Sequence, residues 1–254
     1  MEKLTAIIPT FNEEHNIVDA IKSIDFADEI LIVDSFSTDK TLELAKPIST
    51  KIIQREYENS ASQKNWAIPK AKHEWILLLD ADERVTPELK EEVINTLKSN
   101  PSESGFWMYR MNHFMGKRVY FSGWRGDKVI RLFKRDECRY EPLHVHAEII
   151  ADGKVGWMKN KLWHNTFISR EAFHNKLVRY AKWQAKDYDK KTKWITPFHT
   201  IVKPIVRFLK HYIIQLGILD GRVGFIISVY QGNAVRMRYQ YLRELRRNIK
   251  TREN

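Results

Sequence analysis

The sequence predicts an α/β protein: a mostly parallel sheet flanked by helices, followed by a helical, basic C-terminal extension. Three observations predict it. Over the first 100 residues, short apolar runs that end in polar or acidic residues alternate with amphipathic stretches. Strands joined through helices make right-handed parallel crossovers, and near-continuous apolar runs suit strands covered on both faces. Beyond about residue 165 the pattern is helical, and the charge changes with it. Residues 1–153 carry 21 Lys+Arg against 26 Asp+Glu, whereas residues 154–254 carry 22 against 6. We therefore expect an α/β domain over 1–165 and a helical, basic region over 166–254.

The elements follow in order. LTAIIPT is a β-rich run stopped by Pro9. NEEHNIVDAIKSI follows, with Asn12 as its expected N-cap and Ile17, Ala20, Ile21 and Ile24 at helical spacing. EILIVDS is a second strand, and STDKTLELAK a helix with Ser37 or Thr38 expected to cap it. TKIIQRE is a third strand, SASQKNWAIPKA a helix, and EWILLLDAD a fourth strand. TPELKEEVINTLKS is a helix with Thr86 as N-cap and Pro87 at N1. From residue 105 extended segments and turns take over. A helix capped by Ser169 opens the last region, with two more helical stretches over about 197–216 and 225–247.

One stretch poses a chemical question. WILLLDADERV begins as a buried strand and ends in Asp80, Asp82 and Glu83. Carboxylates gathered where a strand leaves the core repel one another, so a divalent metal or solvent must compensate them. Read as strand residues, Asp80 and Asp82 project to the same side. Thr10–Asn12–Glu13 and Asp34–Ser35 fall at the ends of the first two strands, the rim where open α/β sheets bind ligands.

Composition narrows the class. An apolar content of 43 % rules against wholesale disorder. The single cysteine, Cys138, forms no internal disulfide and points to a reducing compartment. MEKLTAIIPTFNEE does not read as a signal peptide, and no stretch reaches the roughly 18 apolar residues of a membrane span. The basic second part points to an anionic partner, either nucleic acid or anionic lipid.

Taken together, AIIPTFNEEHNI, EILIVDSFSTDKTLELA, SQKNWAI and WILLLDADERV resemble the successive signatures of family 2 inverting glycosyltransferases of the GT-A (nucleotide-diphospho-sugar transferase) fold. GWRGDKVIRLFKR, HVHAEI and LGILDGRVGF are similar to the subgroup that glycosylates the lipopolysaccharide inner core. The resemblance implies a hexose moved from a nucleotide-sugar donor, UDP-linked, to a glycolipid or oligosaccharide acceptor of the cell envelope. It implies Pro9, Thr10 and Glu13 beside the nucleotide, Asp34 on the nucleobase, and Ser35 and Asp39 following. It implies Lys64 and Asn65 near the diphosphate, Asp80 on ribose, and Asp82 on a divalent metal, Mg or Mn. Arg131 is expected to hold the diphosphate or an anionic acceptor.

The base that deprotonates the acceptor is not read as clearly. The Glu-Asp pair of many family members is missing, and the subgroup reads His-Glu without the intervening Ala147. Glu148 is the first candidate and Asp127 the second, with His144 and His146 available to a metal or to packing.

For the last region, Ile201, Ile205, Phe208, Tyr212 and Leu216 are expected on one helical face and Lys203, Arg207 and Lys210 on another. Such a helix suits an anionic membrane surface, which places the protein in the cytoplasm, peripheral on the inner face of the membrane. Two rival readings remain. A nucleotidyltransferase would want a Gly-rich basic N-terminal loop, which IIPTFNEE lacks. A nucleic-acid-binding protein would leave the rim carboxylates unexplained, so no nucleic acid is expected.

Overall fold

The computed structural model describes residues 2–142, 147–167 and 169–253, the last six by backbone alone. The chain divides into two compact units. One comprises residues 1–111 and 127–164, the other residues 112–126 and 165–254. The segment 112–126, expected within the first region, thus groups with the C-terminal helices.

The first unit is built on strands β1 (Leu4–Thr10), β2 (Glu29–Asp34), β3 (Lys51–Gln54) and β4 (Trp75–Leu78), with helices α1 (Ile17–Ser23), α2 (Thr41–Ala45) and α3 (Ser60–Ala67) between them. These four strands run parallel in the order β3-β2-β1-β4, with Thr10 opposite Asp34 and Asp34 opposite Gln54. The short strand β5 (Glu83–Arg84) and helix α4 (Pro87–Lys98) follow. The sheet then continues antiparallel. β8 (Lys128–Lys134) pairs with β4, and β6 (Gly105–Phe114) pairs with β8.

β7 (Lys117–Arg118) forms a hairpin with the end of β6. β9 (Cys138–Tyr140) and β10 (Ile149–Ala151) make a separate antiparallel pair. β11 (Val155–Trp157) lies parallel to β6, and β12 (Leu162–Phe167) pairs with β5. Apolar side chains from both faces of the sheet fill two cores, one under α1 and α4, the other under α3 and β9. Cys138 is buried in the second, where burial pushes its thiol up to about 12 and leaves it inert.

Capping chemistry explains where the helices start. Thr86 accepts from Leu89 N at 3.2 Å and Ser169 from Ala172 N at 3.0 Å, as their positions foretold. Asn12 does not cap α1. It sits at φ 54° and its Oδ1 accepts from Thr38 N, so the helix begins after Asn16. Nor do Ser37 or Thr38 cap α2. The Ser37 hydroxyl donates to Asp34, and Asp39 takes the Thr41 N–H at the start of the helix.

The second unit holds α5 (Arg170–Asp189), α6 (Lys203–Leu209) and α7 (Gly221–Glu253). α5 and α6 both pack on α7, around Phe114, Phe167, Phe173, Leu177 and Ile227. Wider π-turns, Phe198–Val202 and Lys210–Ile214, bracket α6. Pro204 has no amide hydrogen for the preceding turn, and the helix widens there. Where α7 starts, a Cβ on Gly224 would lie 1.8 Å from the Gly217 carbonyl oxygen, so only glycine allows this approach.

Candidate active site

The rim of the parallel strands holds the functional side chains. β4 stops at Leu78, and Asp80–Ala81–Asp82 forms a turn closed by Glu83 N donating to Asp80 O at 2.9 Å. The expected strand alternation therefore does not orient the two aspartates; the turn does. Glu83 Oε2 accepts in return from Asp80 N at 3.1 Å. Arg84 braces the turn from outside, donating to Ala81 O and Glu83 O at 2.7 Å each and to Asn16 O at 2.9 Å. Burial lowers the Arg84 pKa, against the pull of Asp19, Asp82 and Glu13.

The rim carboxylates are compensated by the chain's own cations. Lys64 Nζ lies 2.8 Å from Asp80 Oδ1, and Arg131 Nη2 bonds the other Asp80 oxygen. The same Nη2 donates to Glu83 Oε1 at 2.8 Å, which also accepts from Arg110 Nη1 at 3.2 Å. Arg110 then forks onto Asp127 through Nε at 3.0 Å and Nη2 at 2.7 Å. Three cations thus alternate with three carboxylates in one continuous network.

Burial alone would raise the Asp80 carboxyl, but the Arg131 guanidinium and the Lys64 ammonium hold it well below the usual carboxylate range. Burial likewise opposes the charges on Lys64, Arg131 and Arg110. Their carboxylate partners outweigh it, and all three pKa values are raised.

Lys64 and Arg131, expected on a diphosphate, are therefore spent on Asp80 and Glu83. Both are nearly buried, whereas a third of the Asp80 side chain stays exposed. Tyr140 completes this corner. Its hydroxyl accepts from Arg131 Nη1 at 3.1 Å and its ring lies 5.1 Å from Lys64 Nζ. Asn65, also expected near the diphosphate, clamps β9 instead, donating to Tyr140 O at 2.9 Å and accepting from Tyr140 N at 2.8 Å.

Asp34 is fully buried. Its oxygens accept from Ser37 Oγ at 2.5 Å, Ser37 N at 3.0 Å and Gln54 Nε2 at 2.9 Å, so the carboxylate expected on a nucleobase is engaged within the chain. Next to it, Ser35 Oγ accepts from Gln63 Nε2 at 3.1 Å. Thr10 Oγ1 and Gln63 Oε1 are buried without a hydrogen-bond partner among the described residues. Pro9 is half-buried at the same strand end. Glu13 accepts from Asn16 Nδ2 at 2.8 Å, and burial raises its pKa.

Asp82 points elsewhere, its Oδ2 3.4 Å from Nε2 of His164. β5 pairs with β12 so that His164 stands opposite Glu83. Among the described residues no three His, Cys, Asp or Glu side chains gather as a metal site, so a divalent cation at this pair would take its other ligands from phosphate or water. Sequence reasoning missed His164, Glu83, Arg84 and Arg110. A lone histidine in LWHNTF carries no spacing signal towards the acidic turn. Glu83 was visible as a third acid, but nothing in the sequence marked it as the shared acceptor.

The base candidates differ. Asp127 is clamped by the Arg110 fork. Glu148 is exposed and has no side-chain partner among the described residues. It directly precedes Ile149, which pairs with Tyr140, and its carbonyl accepts from Glu141 N at 2.9 Å. Glu148 therefore lies one residue from the strand pair that contacts Lys64 and Arg131. His144 and His146 lie outside the described residues.

Comparison with known proteins gives the family and the fold. Residues 5–175 match the family model described as glycosyl transferase family 2. An uncharacterized glycosyltransferase of Rickettsia typhi is 28% identical over 96% of this chain and 88% of its own length. A lipopolysaccharide core biosynthesis glycosyltransferase of Rhizobium meliloti is 30% identical over 60% of this chain and 59% of its own. Among solved structures, a mannosyltransferase from Pyrobaculum calidifontis in complex with GDP-Man and Mn2+ superposes with a TM-score of 0.53 at 14% identity. That match covers 95% of this chain and 87% of that one, and it shows a shared fold.

Proposed function

The chain belongs to glycosyl transferase family 2 and is a glycosyltransferase of the GT-A fold; from that premise we propose that it transfers a hexose with inversion from a UDP-sugar to a lipid-linked or lipopolysaccharide-core acceptor. The observation that carries this reading is the braced acidic turn at the sheet rim. There Asp80 is held ionised and oriented by Lys64 and Arg131, while Asp82 is left to face His164. A preorganised carboxylate at the strand end suits a ribose or sugar hydroxyl, because its hydrogen bond is charge-assisted and costs no reorganisation when donor binds.

The network also argues for a metal. Its three cations and three carboxylates balance, so it has no charge to spare for a nucleoside diphosphate. Asp82 and His164 would hold Mg²⁺ or Mn²⁺, and the bound cation would supply the charge that stabilises the departing diphosphate. The rest of the chemistry falls to the chain. Asp34, fixed by Ser37 and Gln54, positions the nucleobase end through the Thr10 and Ser35 strand ends. Glu148, exposed beside the Tyr140 corner, takes the proton from the acceptor hydroxyl as that oxygen attacks the anomeric carbon from the face opposite the diphosphate. The similarity to a lipopolysaccharide core glycosyltransferase supports the acceptor class.

A donor screen tests the reading. Release of nucleoside diphosphate is followed for a panel of UDP-, GDP- and dTDP-sugars, with and without Mn²⁺. Turnover of a UDP-hexose that needs the metal is expected. Turnover restricted to GDP- or dTDP-sugars would overturn the donor assignment, and metal-independent turnover would overturn the role given to Asp82 and His164.

A further inference from the structure

The helical stretch 198–214 is built inside out. A helix packed on a protein core turns its apolar stripe inward and its charges outward. Here Lys203, Arg207 and His211 recur every fourth residue and face inward. Lys203 Nζ donates to Tyr239 Oη at 2.9 Å, Arg207 Nη2 to Gln231 Oε1 at 3.4 Å, and the buried His211 meets Ser122 O at 3.0 Å. The opposite stripe of Val202, Val206, Leu209 and Ile213 is 41–57% exposed, and Ile214 beside it reaches 75%. Past the turn, Ile218 and Leu219 continue the surface, at 54% and 64% exposed. A contiguous run of this kind is unusual on a monomer's water-facing surface.

Three features say what covers it. Residues 190–219 contain no Asp or Glu, and four of their six Lys or Arg, Lys190, Lys191, Lys193 and Lys210, are exposed, so the surroundings complement an anionic surface. The stripe is aliphatic and offers no hydrogen-bonding group, whereas a protein partner brings about one hydrogen bond per 100–200 Å². At its N-terminal end stand Trp194, 70% exposed, and Phe198, 54% exposed; a tryptophan suits the headgroup layer. Among the described residues no single helix is long and apolar enough to cross a membrane. The pair Phe198–Ile214 and Gly217–Arg247, bent by 72°, has the length and composition only when taken together, as a broken span or a re-entrant loop would. Lys203, Arg207 and Lys210 within the first of the two helices favour a place in the interface over a crossing.

We infer that the Val202–Val206–Leu209–Ile213 stripe inserts into the interfacial layer of an anionic lipid bilayer and holds the enzyme there as a monotopic protein. Insertion, not the basic face, carries the attachment, because Lys203 and Arg207 are already bonded to α7. This fits a lipid-linked acceptor but does not depend on it. Vesicle binding requires neither donor nor acceptor, so the two readings fail separately.

Flotation of the full-length protein tests the inference. Vesicles of phosphatidylcholine, alone or with about one quarter phosphatidylglycerol, are used at about 0.1 M and about 1 M NaCl. The protein should float with anionic vesicles and a large part should stay bound at high salt, since apolar insertion is not screened. Val206→Glu with Leu209→Glu should cut binding at least about tenfold, with an unchanged circular-dichroism melt because both side chains face solvent. Lys210→Gln should weaken binding only at low salt. Should the double variant not fold, Ile214→Glu carries the test. Absence of vesicle binding, complete release by salt, or wild-type binding of the glutamate variants would overturn the inference. So would a lipid-free dimer that those variants turn into a monomer, because a second copy would then cover the stripe.

Discussion

The Lys64 ammonium lies 2.8 Å from one oxygen of Asp80, with the lysine almost wholly buried and the aspartate a third exposed. This contact joins the SQKNWA helix to the acidic turn after β4, two motifs the sequence shows only in succession. It turns an exposed carboxylate into a group of set charge and direction, and several outcomes follow.

Lys64→Met keeps the side-chain volume and removes the charge, leaving Asp80 to Arg131 alone. A hydrogen bond to a charged group is worth about 1.5–3 kcal/mol. We expect kcat/KM for the donor to fall by about tenfold to a hundredfold. Steady-state kinetics at wild-type values would mean that Asp80 is oriented without Lys64.

Asp80 also makes stability depend on pH. Its folded pKa is depressed, so its contribution is fully present above the unfolded value of about 3.9 and is lost as pH falls through that value towards the folded pKa. The difference in urea midpoint between wild type and Asp80→Asn should therefore be widest near neutrality and shrink below about pH 4. A difference that stays constant across this window would show that the folded protein does not favour the ionised form.

Asp82→Asn and His164→Gln should each weaken Mn²⁺-dependent UDP binding at least about tenfold, while the melting curve stays near wild type. Mn²⁺ titrated with UDP present, read by the loss of free Mn²⁺ paramagnetic signal, checks this. An effect confined to Asp82 would leave His164 a packing residue of β12.

Glu148→Gln should cut sugar transfer at least about a hundredfold and leave donor binding intact, since a positioned base typically contributes 10²–10⁴-fold. Asp127→Asn is the control. If Glu148→Gln transfers at the wild-type rate while Asp127→Asn is dead, the base is Asp127, with the Arg110 fork as its holder.

Gly224→Ala probes the second unit. The added methyl would meet the Gly217 carbonyl at a distance no structure tolerates, so the start of α7 must shift. Overpacking of this kind costs about 1–3 kcal/mol, read as a lower urea midpoint. An unchanged midpoint would mean that the Gly217–Asp220 turn moves freely.

The sequence by itself determined the order and type of β1 to β4 and α1 to α4, though not the short β5, the caps at Thr86 and Ser169, and the family, because apolar periodicity, capping chemistry and motif succession are local. It also brought the rim residues Thr10, Asp34 and Asp80 to one edge, since parallel strands end together. Only the tertiary structure decided what these residues touch. Arg131 reaches Asp80 across 51 positions and Glu83 across 48, and no spacing rule links such distant residues. A metal or solvent was expected to compensate the acids; at Asp80 and Glu83 the positive charge comes from Lys64, Arg131 and Arg110. The faces of the 198–214 stretch were legible only in part. Ile201, Ile205 and Leu216 are exposed, as an outward apolar face requires, whereas Phe208 and Tyr212 are half-buried. Val202, Val206, Leu209 and Ile213, one position further on at the same spacing, are exposed beside them, and Lys210 is exposed while His211 takes the inward place. Periodicity shows that a helix has two faces; which one is turned inward depends on what the neighbouring helix offers, and here Tyr239 and Gln231 of α7 offer oxygens to the cations.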